Sequence, residues 1–235
     1  MIEVGPMKLF CNTVITFLAI VPSLASASLV THFNFNSYDG DSSTINANSG
    51  SGVMTLAAGG GASPTGELSN PTGTTLNTVG MDSAGLALSL GNAGRATGIR
   101  TLSIGFSTTG FSNLVLSYAG QASNSAYDMA HIEYSINGGS FVDSGITFDP
   151  ALQGSFNVIT QDLSGLTSLN NKSSVALRLT LSGGQLNSGQ DLLIDNLQIN
   201  AVATPEAHAV AMMAVAALLF LLVARQRRMT IMPTC

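Results

Sequence analysis

The chain has 235 residues, a formal net charge of −5 and only 9% charged residues. Its middle carries four basic residues, Arg95, Arg100, Lys172 and Arg178, which is too few for nucleic acid, whose phosphates need clustered Lys and Arg. The two cysteines, Cys11 and Cys235, fall near the two ends, so the middle has no disulfide framework and no thiolate metal site.

Lys8 precedes an apolar stretch over 9–21, followed by Pro22, Ser23 and Ala25-Ser26-Ala27. A positive start, an apolar middle and a small-x-small end make a secretory signal peptide over 1–27, with Ala25 and Ala27 marking a cut before Ser28. Met7 is a second candidate start, because Glu3 is an acidic residue that such leaders seldom carry.

Residues 28–200 suit one domain with a sizeable core. Residues 29–36 read as a strand with Leu29, Phe33 and Phe35 inward. A turn-rich stretch follows over 37–52, a short strand over 53–58, and a long loop over 59–75 with a glycine triplet, Pro64 and Pro71. Residues 86–90 alternate strictly, and 99–106 alternate with Leu102, Ile104 and Phe106 inward. A further strand covers 114–118. Residues 131–136 put Ile132, Tyr134 and Ile136 on one face, and Asn137-Gly138-Gly139 turns the chain into Phe141-Val142. Residues 156–163 form a strand with Phe156, Val158 and Leu163 inward, and 162–171 hold a helical turn or structured loop. Val175, Leu177, Leu179 and Leu181 face in, and 193–199 close the domain. Many short strands and no long amphipathic helix predict an all-β, antiparallel two-sheet sandwich.

Phe33-Asn34-Phe35-Asn36, the segment Tyr134 to Phe141, Val175 to Leu179 and Ile194-Asp195-Asn196-Leu197 together resemble secreted bacterial jelly-roll domains of galactose-binding-like and carbohydrate-binding-module-like kinds. That resemblance implies two roles: an adhesive or structural module, or a carbohydrate-binding module assisted by calcium. Under the second, Asp195 would hold Ca²⁺ with oxygen donors drawn from Asn34, Asn36, Asp39 and Asp41. The loop from Asp39 to Ser43 lacks the twelfth-position Glu of an EF-hand.

No catalytic set stands out, and the expectation is a non-enzyme. His32 and His131 read as strand histidines on a polar face, without a Gly-x-Ser-x-Gly elbow. Glu67 and Glu133 are the domain's glutamates, and nothing directs them across a common cleft. There is no Trp, which disfavours sugar stacking but leaves recognition by hydrogen bonding open. No other cofactor is implied.

After a short linker over 201–206 comes an uncharged apolar run over 207–224, then Arg225, Arg227 and Arg228 in a tail over 225–235. A helix over that run covers about 27 Å, enough for a thin bilayer, and the basic flank would stay cytoplasmic. Pro205-Glu206, the apolar run and the arginine cluster resemble the PEP-CTERM sorting signal of Gram-negative bacteria that make extracellular polysaccharide. Ala207 stands where that pattern has a second proline, and residues 229–235 trail the basic cluster. The resemblance implies an exosortase as partner, cutting near Pro205-Glu206. It also implies a transient inner-membrane anchor and a place at the cell surface or in the polysaccharide matrix.

Overall fold

Alternation across 175–181 predicts four inward side chains, and Val175, Leu177, Leu179 and Leu181 are indeed buried. They sit in a computed structural model that describes residues 27–40, 42–58, 68–69, 71–91, 100–123, 127–183, 191–204, 214–223 and 225. The strands in chain order are β1 (Ala27–Phe33), β2 (Thr44–Asn46), β3 (Ser49–Gly50), β4 (Gly52–Ala58), β5 (Leu68–Ser69) and β6 (Leu88–Gly91). There follow β7 (Arg100–Phe106), β8 (Phe111–Ala122), β9 (Met129–Ile136), β10 (Val142–Phe148), β11 (Asn157–Asp162), β12 (Val175–Ser182) and β13 (Asp191–Ala203). A 3₁₀ turn at Thr167–Leu169 lies in the stretch expected to hold one.

The strands form two antiparallel sheets. One has seven strands on the path β11-β8-β13-β1-β3, with β6 also on β13 and β5 on β6. The other has six, in the order β10-β9-β12-β7-β4-β2. Their inner faces share one apolar core: Leu116, Ile194 and Leu197 from the first sheet, Leu56, Ile104 and Ile132 from the second. Each fully buried Leu or Ile there contributes on the order of 2 kcal/mol of transfer energy. The expected hairpin is present. Asn137 (φ 53°) and Gly138 (φ 73°) take the left-handed conformations that a two-residue turn between twisted strands requires.

Several expectations need correction. The first strand runs over Ala27–Phe33 and not 29–36, because Phe35 leaves the extended region at φ 54°. A bulge falls between Leu29 and Thr31, and Val30, Thr31, His32 and Phe33 are all buried. Residues 87–90 do not alternate either; Ala87, Leu88, Ser89 and Leu90 are each fully buried. The stretch given to a long loop contains β5, and the turn-rich stretch contains β2 and β3. Val158 points outward at 48% exposure, while Ile159 packs on the core.

The two-sided burial of β1 and β6 has one cause. Residues 71–86 cross the outer face of the seven-stranded sheet as a strap, so residues on that side of β1 and β6 are covered as well. The β13 backbone is shaped to receive the strap. Its pairing with β8 shifts between Asp195 and Gln198, and Asn196 sits at φ 49°. Such a bulge re-aims side chains. Asn196 Nδ2 donates to the carbonyls of Thr74 (2.8 Å) and Leu76 (2.9 Å). Asn77 Nδ2 donates to the Asn196 carbonyl (2.8 Å), and Gln198 Nε2 donates to the Asn77 carbonyl (3.0 Å). On the β1 side, Asn36 Oδ1 accepts the Leu86 amide at 2.8 Å.

Within the expected membrane run, residues 214–223 are helical with exposed side chains, and the rest of 207–224 lies outside the described residues. No helix among the described residues is long and apolar enough to cross a membrane. The stretch before Ala27, expected to be a signal peptide, also lies outside the described residues.

Candidate functional site

On the outer face of the six-stranded sheet, Thr55 and Ala57 are exposed, and Ser103, Glu133, Arg178 and Thr180 are half-buried. Because side chains alternate, Thr55 and Ala57 on β4, Thr101 and Ser103 on β7, His131 and Glu133 on β9, and Arg178 and Thr180 on β12 point to this side. Register then lines them up. Asp143 pairs with Glu133, Glu133 with Arg178, Arg178 with Ser103, Ser103 with Thr55 and Thr55 with Thr44. This row crosses all six strands and spans about 24 Å at the usual strand spacing. A second row beside it runs from His131 through Thr180 and Thr101 to Ala57.

The centre of the first row is rigid. Arg178 Nε and Nη2 donate to Glu133 Oε2 and Oε1, both at 2.7 Å, and the Thr180 hydroxyl donates to Oε2 at 3.0 Å. The guanidinium lies 3.9 Å from the Phe141 ring centroid. Forked pairing and stacking fix an arginine in a way a lysine could not match. The Arg178 hydrogen bonds hold the Glu133 carboxyl below its ordinary range, and Glu133 in turn raises Arg178. At the end of the row, Asp143 Oδ1 meets His131 Nε2 at 2.7 Å and accepts the Gly145 amide at 2.6 Å. The Gly145 amide, then His131, lower the Asp143 carboxyl.

This surface combines hydroxyls, a neutralised ion pair with spare guanidinium donors, and small residues. It can hydrogen-bond a polyhydroxyl chain laid across the strands. Among the described residues no serine hydroxyl bonds either histidine, and the Arg178 hydrogen bonds favour the ionised form of Glu133. A hollow of about 270 Å³ lies past the β2 edge, lined by Ser37, Tyr38, Asp39, Ser42, Asn46 and Asn48 among others.

The residues expected to bind metal are placed apart in their bonding. Asp195 is buried; its Oδ2 accepts the Thr74 amide and its Oδ1 the Asn196 amide, both at 2.7 Å. Burial pushes its carboxyl up to about 7 against the pull of these two amides. Asn34 Nδ2 donates to Asp82 Oδ2 (3.2 Å), and Asp39 Oδ1 accepts the Ser42 amide (3.1 Å). No hydrogen bond joins any two of Asp195, Asn34 and Asp39. Among the described residues no group of three or more His, Cys, Asp or Glu side chains is placed to hold a metal ion.

His32 corrects the polar-face expectation. It is fully buried beneath the strap, with Asp82 Oδ2 at 4.0 Å from Nδ1, and burial pushes it below its ordinary value. Of the residues expected to mark processing, Ala27 and Ser28 open β1, paired with Val202 and Ala201. Arg225 is helical and exposed; Ala25, Pro205, Glu206, Arg227 and Arg228 lie outside the described residues.

No family model matches the chain, and no curated protein matches it. Solved structures do. The chain is similar to TmCBM61 in complex with β-1,4-galactotriose at 7% identity and a TM-score of 0.39, covering 62% of this chain and 86% of that one. It is similar to the CBM22-1 xylan-binding domain from Paenibacillus barcinonensis Xyn10C at 12% identity and a TM-score of 0.44, covering 77% and 99%. The K2 cleaved adhesin domain of Lys-gingipain gives 13% identity, a TM-score of 0.42 and coverage of 72% and 97%. The assignment of fold rests on the two sheets themselves.

Proposed function

We propose that this chain is an exported, non-catalytic β-sandwich that binds polysaccharide across the outer face of its six-stranded sheet. The observation that carries the reading is the row Asp143, Glu133, Arg178, Ser103, Thr55 and Thr44 on six neighbouring strands. Its charges are satisfied internally, so an uncharged glycan meets donors and acceptors without having to neutralise a buried ion. One face of the Phe141 ring is taken by Arg178, and the row itself offers hydroxyl, carboxylate and guanidinium groups, so recognition runs mainly through hydrogen bonds. Export and sorting come from the two ends of the sequence: the signal peptide over 1–27 and the PEP-CTERM-like Pro205-Glu206, apolar run and arginine cluster.

Affinity electrophoresis of the full chain in gels containing xylan, β-1,4-galactan or a mixed-linked β-glucan tests the binding reading. Retardation by at least one neutral polysaccharide is expected. Arg178→Ala should weaken it on the order of tenfold, the loss of one charge-assisted contact in a binding site. Migration unaffected by every polysaccharide, or binding untouched in Arg178→Ala, would sink it.

A further inference from the structure

The edges of the two sheets are of different kinds. On the six-stranded sheet, β2 is three residues long, and the β10 register breaks between Asp143 and Ile146, where Gly145 takes φ 73°. On the seven-stranded sheet, β3 and β5 have two residues each. Shortness and bulges are the means by which sheets keep edges from pairing with other chains. The remaining edge, β11, uses neither. Its six residues pair with β8 in unbroken register from Asn157–Gly120 to Asp162–Val115, and it contains no proline, glycine or lysine.

The direction of its open groups follows from the ladder. The Leu163 amide donates to the Leu114 carbonyl at 2.9 Å, continuing the same register. Bonding alternates along an antiparallel pair, so residues 157, 159 and 161 turn their amides and carbonyls to β8. Those of Val158 and Thr160 point away from it. Val158 is also 48% exposed.

We propose that β11 is a docking edge for a second copy of this chain, paired antiparallel about a twofold axis at Ile159. This register sets Val158 against the partner's Thr160 as a hydrogen-bonded pair, in both directions. Ile159 meets the partner's Ile159 and Asn157 the partner's Gln161, each pair on a common face. Asp162 falls opposite the partner's Phe156, so no carboxylate faces another. Each copy thus satisfies the other's open backbone groups with an identical, uncharged stretch, as an isologous interface requires. The two seven-stranded sheets become one.

Sedimentation velocity of the full chain in mild detergent, across a range of concentrations, reads the dimer. The expected result is a concentration-dependent dimer that disappears in Val158→Pro, which removes an outward amide at an edge position, and in Thr160→Lys, both with unchanged circular dichroism. A register test accompanies it in a Cys11→Ser, Cys235→Ser background. Ile159→Cys should cross-link on oxidation on the order of tenfold more than Thr160→Cys, because only the first places two sulfurs across the axis within disulfide reach. A monomer at every concentration overturns the proposal. So does a dimer that survives both edge variants, which would assign association to the apolar tail, or equal cross-linking by the two cysteine variants.

Discussion

Arg178 is held by two bonds from Glu133 and by the Phe141 ring. That hold depends on Glu133 staying ionised. The Glu133 folded pKa lies below its ordinary 4.5, so its contribution to stability is present above that value and is lost as pH falls through the folded one. Glu133→Gln should therefore flatten the pH dependence of the melting temperature below about pH 4.5. At neutral pH it should cost about 1 kcal/mol, since the pair is partly exposed and solvent screens it. Thermal melts of both proteins between pH 3 and 7 measure this, and parallel curves would refute the role given to the pair. At this scale the sequence told a partial story. Alternation over 175–181 turned Arg178 outward, as observed. That Glu133, 45 residues away, would lie beside it depended on a register no local pattern encodes. Asp195 stood out as an acid between apolar neighbours, but the amides that bind it come from a loop 121 residues away.

At the scale of elements, the strap over 71–86 explains why strand periodicity failed where it did. Alternation reports burial on one face, and β1 and β6 are buried on both. The strap itself carried no periodic signal, because it is pinned by Asn36, Asn77 and Asn196, residues that otherwise mark turns. Its close approach to β13 sets a steric requirement at Gly73. A Cβ there would run into the Asp195 carboxylate and the Ala84 carbonyl. Gly73→Ala should cost about 2 kcal/mol, measured by urea unfolding, as expected where backbone and a buried carboxylate cannot move aside. A change within error would mean that the strap lifts easily from the sheet.

For the whole molecule, the two-sheet sandwich was legible because short alternating runs recur without a helical pattern. Which sheet each strand joins was not, since both sheets draw on strands from all along the chain. The reading of the two ends is tested by intact mass and fractionation of the protein from its native cells. A species from Ser28 to near Glu206, outside the inner membrane, is the expected result; one that retains Cys235 in that membrane would remove the sorting part of the reading. The path of β13 bears on how such a tethered domain would take load. This strand leads out through Thr204, and it lies between β8 on one side and β1 and β6 on the other. Traction on the chain end pulls along the strand axis, so both ladders are loaded in shear and their hydrogen bonds must fail together instead of peeling one by one. A pull on such a tether would then act on a strand that is paired on both sides.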